Sequence, residues 1–381
     1  MKIGITCYPT VGGSGVIATE LGIKMAERGH EVHFITSNVP FRLNISHPSI
    51  HIHQTDINDY SVFKYPPYDI TLASKISEVI LEHELEVIHM HYAVPHAICG
   101  ILARQMSGRD VKIVTTLHGT DITVLGYDLS LVNAIRFGIE GSDAVTAVSD
   151  GLKSQTMELI CPDKDIETIY NFVEEQQFNI FNRANVKHDM KARYGLAQNV
   201  KVLMHTSNFR NIKRIDDIIY AFAIIKQKID SVLVLVGDGP ETNRLRLLVR
   251  SLDLESSVIF AGQQNDVKSF YMMSDLFLLL SQKESFGLAM LEAMHCGTVP
   301  IGSSAGGISE VINDGETGYI VQTGDYESAA IRAIALLTDD ELYKEMQNGM
   351  LQNIYDRFHS DVIVREYESL YKSLTGDISY E

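Results

Sequence analysis

The sequence predicts an α/β protein of two doubly wound domains, each a parallel sheet covered by helices on both faces. Three observations carry that expectation. Short apolar runs alternate with helix-period segments from residue 2 to residue 301, the pattern of successive βαβ units. The chain has 381 residues, 45% of them hydrophobic, which is enough for two domains with proper cores. A polar stretch without clear periodicity, residues 174–191, interrupts the alternation near its middle. We therefore expect a first domain over residues 1–172, with residues 360–381 folding back on it, and a second over residues 173–359.

The first domain opens with a strand over residues 2–8. The turn Pro9-Thr10-Val11-Gly12-Gly13-Ser14-Gly15 follows, then a helix over about 16–28 that Gly29 ends, then a strand over 31–36. The glycine spacing is not the dinucleotide fingerprint, and no acidic residue ends the second strand. Glycines there let a ligand approach the backbone; a tight turn without a ligand fits equally. Further strands are expected at 50–54, 87–91, 113–117, 144–148 and 167–170, with helices at 72–84, 95–106, 131–140 and 151–159.

Ligands gather at the carboxyl ends of parallel strands, and three polar clusters fall there: His89-Met90-His91-Tyr92, the run from Thr115 to Asp121, and Tyr170-Asn171. His89 and His91 share a strand face, but no third ligand at sensible spacing accompanies them, so no metal is expected. His118, before Gly119, is either a neutral imidazole that donates to a sugar hydroxyl or phosphate or a hydrogen-bonded core histidine. The stretch 42–69, with Tyr60, Lys64, Tyr65, Pro66, Pro67 and Tyr68, is long for a structureless connector. Arg136 is the one arginine after the His118 loop placed to reach an anionic acceptor; a surface salt bridge is the alternative.

In the second domain strands are expected at 202–206, 232–236, 258–260, 276–280 and 299–301, with helices at 215–228, 241–252, 267–273 and 288–296. The first turn, Ser207-Asn208-Phe209-Arg210-Asn211-Ile212-Lys213-Arg214, holds three cations. Such cations make charge-assisted hydrogen bonds to a diphosphate, unless the turn is merely a solvated basic surface. Gly237-Asp238-Gly239-Pro240 is flexible enough to pass close to a base, and Gly306-Gly307 opens a helix containing Glu310.

The stretch Ser281–Pro300 organises the site. Glu284 lies in its loop and Glu292 in its helix, seven residues between them. Phe286-Gly287-Leu288 sit where helical N–H groups are unpaired and the dipole is positive. A glycine turn and a bare helix N-terminus make an anion site, and flanking carboxylates accept from hydroxyls. Together they fit a sugar attached to a phosphate. The alternative makes Glu284 a helix cap and Glu292 a solvated residue.

Composition narrows the partners. The formal net charge of −17 argues against nucleic acid. Cys7, Cys99, Cys161 and Cys296 show neither metal spacing nor a disulfide pattern, so structural thiols are expected. The start, MKIGITCYP, reads as a strand rather than a signal peptide. No apolar run reaches membrane-spanning length. A cytoplasmic homo-oligomer is expected, with no nucleic-acid partner and no membrane insertion. The amphipathic segment 360–374, with Val362, Val364, Tyr367, Leu370 and Tyr371, supplies the part that folds back.

With these pieces the chain resembles the retaining glycosyltransferases of family 4, of the GT-B fold, two Rossmann-like domains facing across a cleft. The resemblance covers almost the whole length. Its most specific mark is Glu284-x7-Glu292 preceded by the Arg210/Lys213 turn. The strings GITCYPTVGGSGVIATELG, VFKYPPYDITLASK, HMHYAVPHA, TTLHGTDITVLG and SNFRNIKR resemble the branch that joins N-acetylglucosamine to L-malate at the start of bacillithiol synthesis. The resemblance implies UDP-N-acetylglucosamine as donor and no metal. Lys213 and Arg210 would hold the diphosphate, although the family's usual arginine falls two positions earlier, at Asn208 here. Gly15 would present its backbone to it. Glu284 would meet the sugar hydroxyls, Gly287 and Leu288 beside Phe286 the distal phosphate, and Glu292 the ribose. His118 would bond the donor sugar, and Tyr92, Thr116, Arg136, Ser14 and Asn171 the malate. A transferase with another acceptor, such as an inositol phosphate or a polysaccharide, an epimerase, and a non-catalytic UDP-sugar sensor are the alternatives.

Overall fold

The computed structural model describes residues 1–9, 12–43, 47–55 and 67–376. Thr10 and Val11 of the first turn, and Tyr60, Lys64, Tyr65 and Pro66 of the long connector, lie outside the described residues. The chain divides into two compact units, Met1–Asn171 with Ser360–Glu381, and Phe172–His359.

In the first unit, β1 (Lys2–Thr6), β2 (Glu31–Thr36), β3 (Ile50–Gln54), β4 (Val87–His91), β5 (Lys112–Leu117), β6 (Ala144–Ala147) and β7 (Glu167–Thr168) form one sheet. Its order is β3-β2-β1-β4-β5-β6-β7, parallel at every pairing. Strands of such a sheet are buried on both faces, so they read as unbroken apolar runs. All of β4, including its two histidines, is buried. The crossover helix Tyr68–His83 buries Leu72, Ile76, Val79 and Ile80 against Ile35, Ile88 and Met90. Each such side chain contributes roughly 1.5–3 kcal/mol.

The second unit repeats the plan with β8 (Lys201–Thr206), β9 (Ser231–Val236), β10 (Val258–Gly262), β11 (Leu276–Leu279), β12 (Val299–Ser303) and β13 (Tyr319–Val321). The order is β10-β9-β8-β11-β12-β13, again all parallel. In both sheets the strand order reverses beside the first strand, between β1 and β4 and between β8 and β11. Loops leaving those strands diverge to opposite faces, which opens a crevice at their carboxyl ends.

Two expectations need correction. The stretch 174–191, expected to lack periodicity, contains most of a helix, Arg183–Arg193. Polar anchors dock it in place of an apolar stripe. The buried Lys191 ammonium donates to the carbonyls of Gln198 and Val200 at 2.8 and 2.6 Å, and Arg183 donates to Ser274 O at 2.6 Å. The C-terminal helix, Ser360–Thr375, buries Ile363, Val364, Tyr367 and Tyr371, so Ile363 rather than Val362 or Leu370 completes its inner stripe. Strand β13 and the helices Tyr326–Thr338 and Asp340–Phe358 follow the last strand expected from the sequence. Among the described residues no helix is long and apolar enough to cross a membrane. Cys7, Cys99 and Cys296 are buried free thiols, and Cys161 is exposed.

The Ser360–Thr375 helix is tied to the first unit by charge as well as packing. Glu368 accepts from Arg28 at 2.8 Å and Lys372 at 3.0 Å. Burial alone would raise its carboxyl, but Lys372, Arg28 and His30 hold it at about 2, below the ordinary 4.5. His30 is itself lowered, by burial and the α-amino group, so the partner charge comes from Arg28 and Lys372. A depressed carboxyl stabilises above its unfolded value and loses that contribution as pH falls toward its folded value. Glu368→Gln should therefore lower the melting temperature at pH 7. Thermal unfolding as a function of pH should show the gap to wild type narrowing below pH 4.5 and closing near pH 2.

Candidate active site

At the carboxyl ends of β8 and β11, Lys213 Nζ donates to Glu284 Oε2 at 2.6 Å. The two side chains are 20% and 17% exposed, half-shielded but open to a ligand. The loops carrying them are joined by backbone: Gln282 N donates to Ile212 O at 2.8 Å, and Gly307 N to Glu284 O at 3.1 Å. Gly306 has φ +53°, and a Cβ there would stand 2.0 Å from Glu284 O. Gly237, at φ +120°, comes equally near, its Cβ position 2.0 Å from Ser207 O. The sequence assigned the 237–240 turn to passing a base. Its glycines let it lie against the Ser207–Phe209 backbone, with Phe209 N donating to Asp238 O at 3.0 Å.

The alternative reading of the glutamates, as a helix cap and a solvated residue, does not hold. Glu284 does not cap the helix Leu288–His295, which Gly287 precedes with no side-chain cap. Its first N–H groups therefore keep their positive end uncovered. Glu292 is buried, not solvated, and accepts from the Tyr271 hydroxyl at 3.0 Å. Phe286 buries its ring against Phe358, centroids 5.8 Å apart. Of the three cations in the turn, Arg210 is exposed, Lys213 meets Glu284, and Arg214 is turned away onto Asp217. His205, fully buried, bonds Leu278 O at 2.8 Å and Ser207 Oγ at 2.7 Å. Burial holds its imidazole at about 4, so a neutral ring fixes the start of the cationic turn.

In the first unit the crevice between β1 and β4 collects an aromatic and imidazole cluster. His118 Nε2 and His91 Nδ1 are 2.7 Å apart. Tyr92 stands edge-on to His118 at 5.4 Å and tilted to Tyr8 at 5.8 Å, and its hydroxyl bonds Ser14 and Thr120. Tyr8 lies 4.5 Å from the His96 ring. Burial, then the nearby His96, pushes His118 down to about 3; burial first, then His118, puts His89 at about 3. His91 is held well below the ordinary value, by burial before its neighbours. These rings are neutral at physiological pH. Asp121, wholly buried, accepts from Ala93 N and Gly119 N at 3.2 and 3.0 Å. Burial raises its carboxyl to about 6, against backbone donors that lower it. Ser14 and Gly15 occupy the first turn of the helix Gly13–Glu27, which has no side-chain cap and no acidic residue in that turn. Asn171 is buried at the end of the unit.

Two residues named from the sequence do not join this cluster. Thr116 is fully buried, and its hydroxyl lies within bonding distance of His89 Nε2 at 2.6 Å, Thr146 Oγ1 at 2.7 Å and Tyr367 OH at 3.3 Å. It faces the C-terminal helix and supports His89. Arg136 gives its Nε and Nη2 to Ile160 O at 2.9 and 2.6 Å, closing the end of the helix Asp150–Leu159. Sequence reading put Asp121 in a polar cluster but gave it no role, and it missed Tyr8, His96, His205 and Tyr271. His96 and Asp121 lie inside the quoted strings HMHYAVPHA and TTLHGTDITVLG, whereas Tyr271 sits in a helix with no local signal. Gly306→Ala should destabilise the chain by at least about 1 kcal/mol, the least a left-handed non-glycine residue costs, read as a lower urea midpoint.

Known proteins resemble the chain over almost its whole length. Residues 186–352 match the family described as "Glycosyl transferases group 1", and residues 11–177 match "Glycosyltransferase Family 4". The chain is 54% identical over 380 residues to the N-acetyl-alpha-D-glucosaminyl L-malate synthase of Bacillus anthracis, covering 99% of this chain and 98% of that protein. A glycosyltransferase from Rickettsia africae has the same fold, with TM-score 0.81 and 23% identity over 98% of each chain. So does an Anabaena protein solved with UDP, with TM-score 0.79 and 18% identity over 98% of this chain and 99% of that one.

Proposed function

The chain belongs to glycosyltransferase family 4, and from that premise we propose that it moves N-acetylglucosamine from UDP-N-acetylglucosamine to the hydroxyl of L-malate. The product would be the α-linked glucosaminide of malate, the first intermediate of bacillithiol synthesis. One observation carries the donor half: Lys213 meets Glu284 at 2.6 Å beside an uncapped helix N-terminus. A cation, an acceptor and free N–H donors thus share one crevice. The acceptor half is supported by the 54% identical relative named for malate.

In this reading Lys213 and Arg210 grip the diphosphate, and the N–H groups of Gly287 and Leu288 hold the distal phosphate. Glu284 accepts from the sugar hydroxyls. Glu292, oriented by Tyr271, accepts from the ribose. Neutral His118 donates to the donor sugar. Tyr92, Ser14 and Asn171 contact malate, and the positive end of the helix Gly13–Glu27 serves its carboxylates, a role Arg136 does not fill.

The reaction breaks the bond from anomeric carbon to phosphate oxygen and forms the bond from anomeric carbon to malate oxygen on the same face. The malate proton goes to the departing phosphate. An α-linked donor then gives an α-linked product, which is retention. Negative charge gathers on UDP, and Lys213, Arg210 and the helix dipole stabilise it there, so no divalent metal is required in this scheme.

A UDP-release assay tests the proposal. Release should require malate, continue in EDTA, and fail with inositol phosphate or oligosaccharide acceptors; malate-independent release, or none with any acceptor, overturns it. Lys213→Ala should cost charge-assisted bonds of about 1.5–3 kcal/mol, about 10–100-fold in UDP affinity by calorimetry, and reduce turnover below detection. Because His118 protonates only near pH 3, His118→Ala should lower kcat/KM by one constant factor from pH 5 to pH 8. A factor that varies across that range would show that the imidazole titrates during catalysis.

A further inference from the structure

We propose that the first unit carries a second site, a divalent transition-metal site built by His33, His53 and His83, with Glu31 as the residue that orients His33. It stands apart from the reaction proposed above and does not rest on it. Parallel pairing sets His33 against His51 and Ile35 against His53. Residues two apart on a strand share a face, so Glu31 and His33 on β2 and His51 and His53 on β3 project together. His83 ends the crossover helix Tyr68–His83, and its ring lies 4.4 Å from that of His33 and 5.0 Å from that of His53.

One nitrogen each from His33, His53 and His83 falls within 4.8 Å of the others. A metal with bonds of about 2.0–2.1 Å to imidazole reaches all three with small ring rotations. The His33 side chain is wholly buried, and that of His83 is 33% exposed, so one ligand is fixed and the site opens to solvent. Glu31 Oε1 lies 3.2 Å from His33 Nε2. With the proton on Nε2, the lone pair is on Nδ1, which points at His53 Nε2 2.9 Å away. A carboxylate behind a ligating imidazole is the arrangement that fixes tautomer and ring orientation in metal sites. Burial, then the neighbouring imidazoles, hold His33 at about 4, and burial first likewise holds His53 at about 4. His33 and His53 are therefore neutral at pH 7, each with one nitrogen lone pair to offer. Three imidazoles and an open position suit zinc, cobalt, nickel or copper rather than magnesium or calcium, which prefer oxygen.

A rival set, Glu31, His33 and His51, shares His33, but it would use up the carboxylate that orients the ring. Glu31 and His51 lie toward the amino ends of β2 and β3, away from the carboxyl-end crevice. A metal here joins edge strand β3 to the end of the crossover helix.

The test uses the full chain, untagged and metal-stripped, titrated with Co²⁺ and read by its visible ligand-field spectrum, with Zn²⁺ as competitor. One equivalent should bind and be displaced by Zn²⁺, and Zn²⁺ should raise the melting temperature. His83→Gln, at the exposed ligand, should weaken binding at least 10-fold, and the double variant His53→Gln/His83→Gln should abolish it. Glu31→Gln should weaken it about 10–100-fold, and His51→Gln should leave it unchanged. No saturable spectrum with folded wild type overturns the proposal. So does a spectrum that His83→Gln leaves intact, or one that His51→Gln removes.

Discussion

The donor crevice depends on a contact with no side chain in it. Gly306 passes so near the Glu284 carbonyl that a Cβ would overlap it, and the same loop donates from Gly307 N to that oxygen. The loop after β12 thereby fixes the loop after β11, and Gln282 N ties that loop to the cationic turn after β8. Lys213 and Glu284 need not find each other through two flexible side chains alone; their backbones are already in register. Preorganisation of this kind matters because a charged group rearranged during reaction costs energy that a fixed one does not. The alternating use of Gly237 and Gly306 on the two flanks gives the anion site rigid walls of backbone.

The acceptor side is organised by the opposite means, a packed set of side chains. β4 is buried throughout, so its histidines depend on partners inside the fold. His89 is held by Tyr371 at 2.6 Å from behind and by Thr116, and its ring stacks on His91 at 4.3 Å. His91 in turn holds His118. The chain terminus therefore reaches the site through a line of neutral rings, Tyr371, His89, His91 and His118. Burial makes protonation of those rings costly, which is why this cluster offers directional hydrogen bonds and not positive charge. The nearby helix beginning at Gly13 has neither a side-chain cap nor an acidic residue in its first turn, so positive potential on this side comes from backbone.

The histidines of β2 and β3 face a different solution to the same problem. There four imidazoles and one carboxylate crowd the amino-terminal side of the sheet's edge, within ring-stacking distance. One pair, His33 Nδ1 and His53 Nε2, stands 2.9 Å apart. The two clusters lie apart on one sheet, one at β4 and β5 and the other at its edge on β2 and β3. In the first, hydroxyls hold both nitrogens of His89 and His118 pairs with His91 Nδ1, while His91 Nε2 is buried without a hydrogen-bond partner among the described residues; the second opens to solvent at His83.

What the sequence determined by itself were the periodic features. Apolar runs at β1, β4, β8 and β11 announce parallel strands because both faces are buried, and glycine-bearing turns after them mark the crevices. Glu284, Glu292, Lys213 and Gly287 are legible because they sit at fixed offsets from such runs. Only tertiary structure decided which way the remaining side chains turn. Thr116 and Arg136 lie in the right segments, yet one hydroxyl turns into the packing of the C-terminal helix and the other fork closes on Ile160. Arg214 looks no different from Lys213 in the string, but a left-handed backbone at φ +47° turns it onto Asp217. The helix Arg183–Arg193 carries no apolar stripe, since hydrogen bonds to distant carbonyls dock it. His33, His51, His53 and His83 are spread over about fifty residues, and strand register together with the docking of the crossover helix brings them together. Periodicity is a local property of the chain, whereas side-chain partnership is set by neighbours that the order of residues does not name.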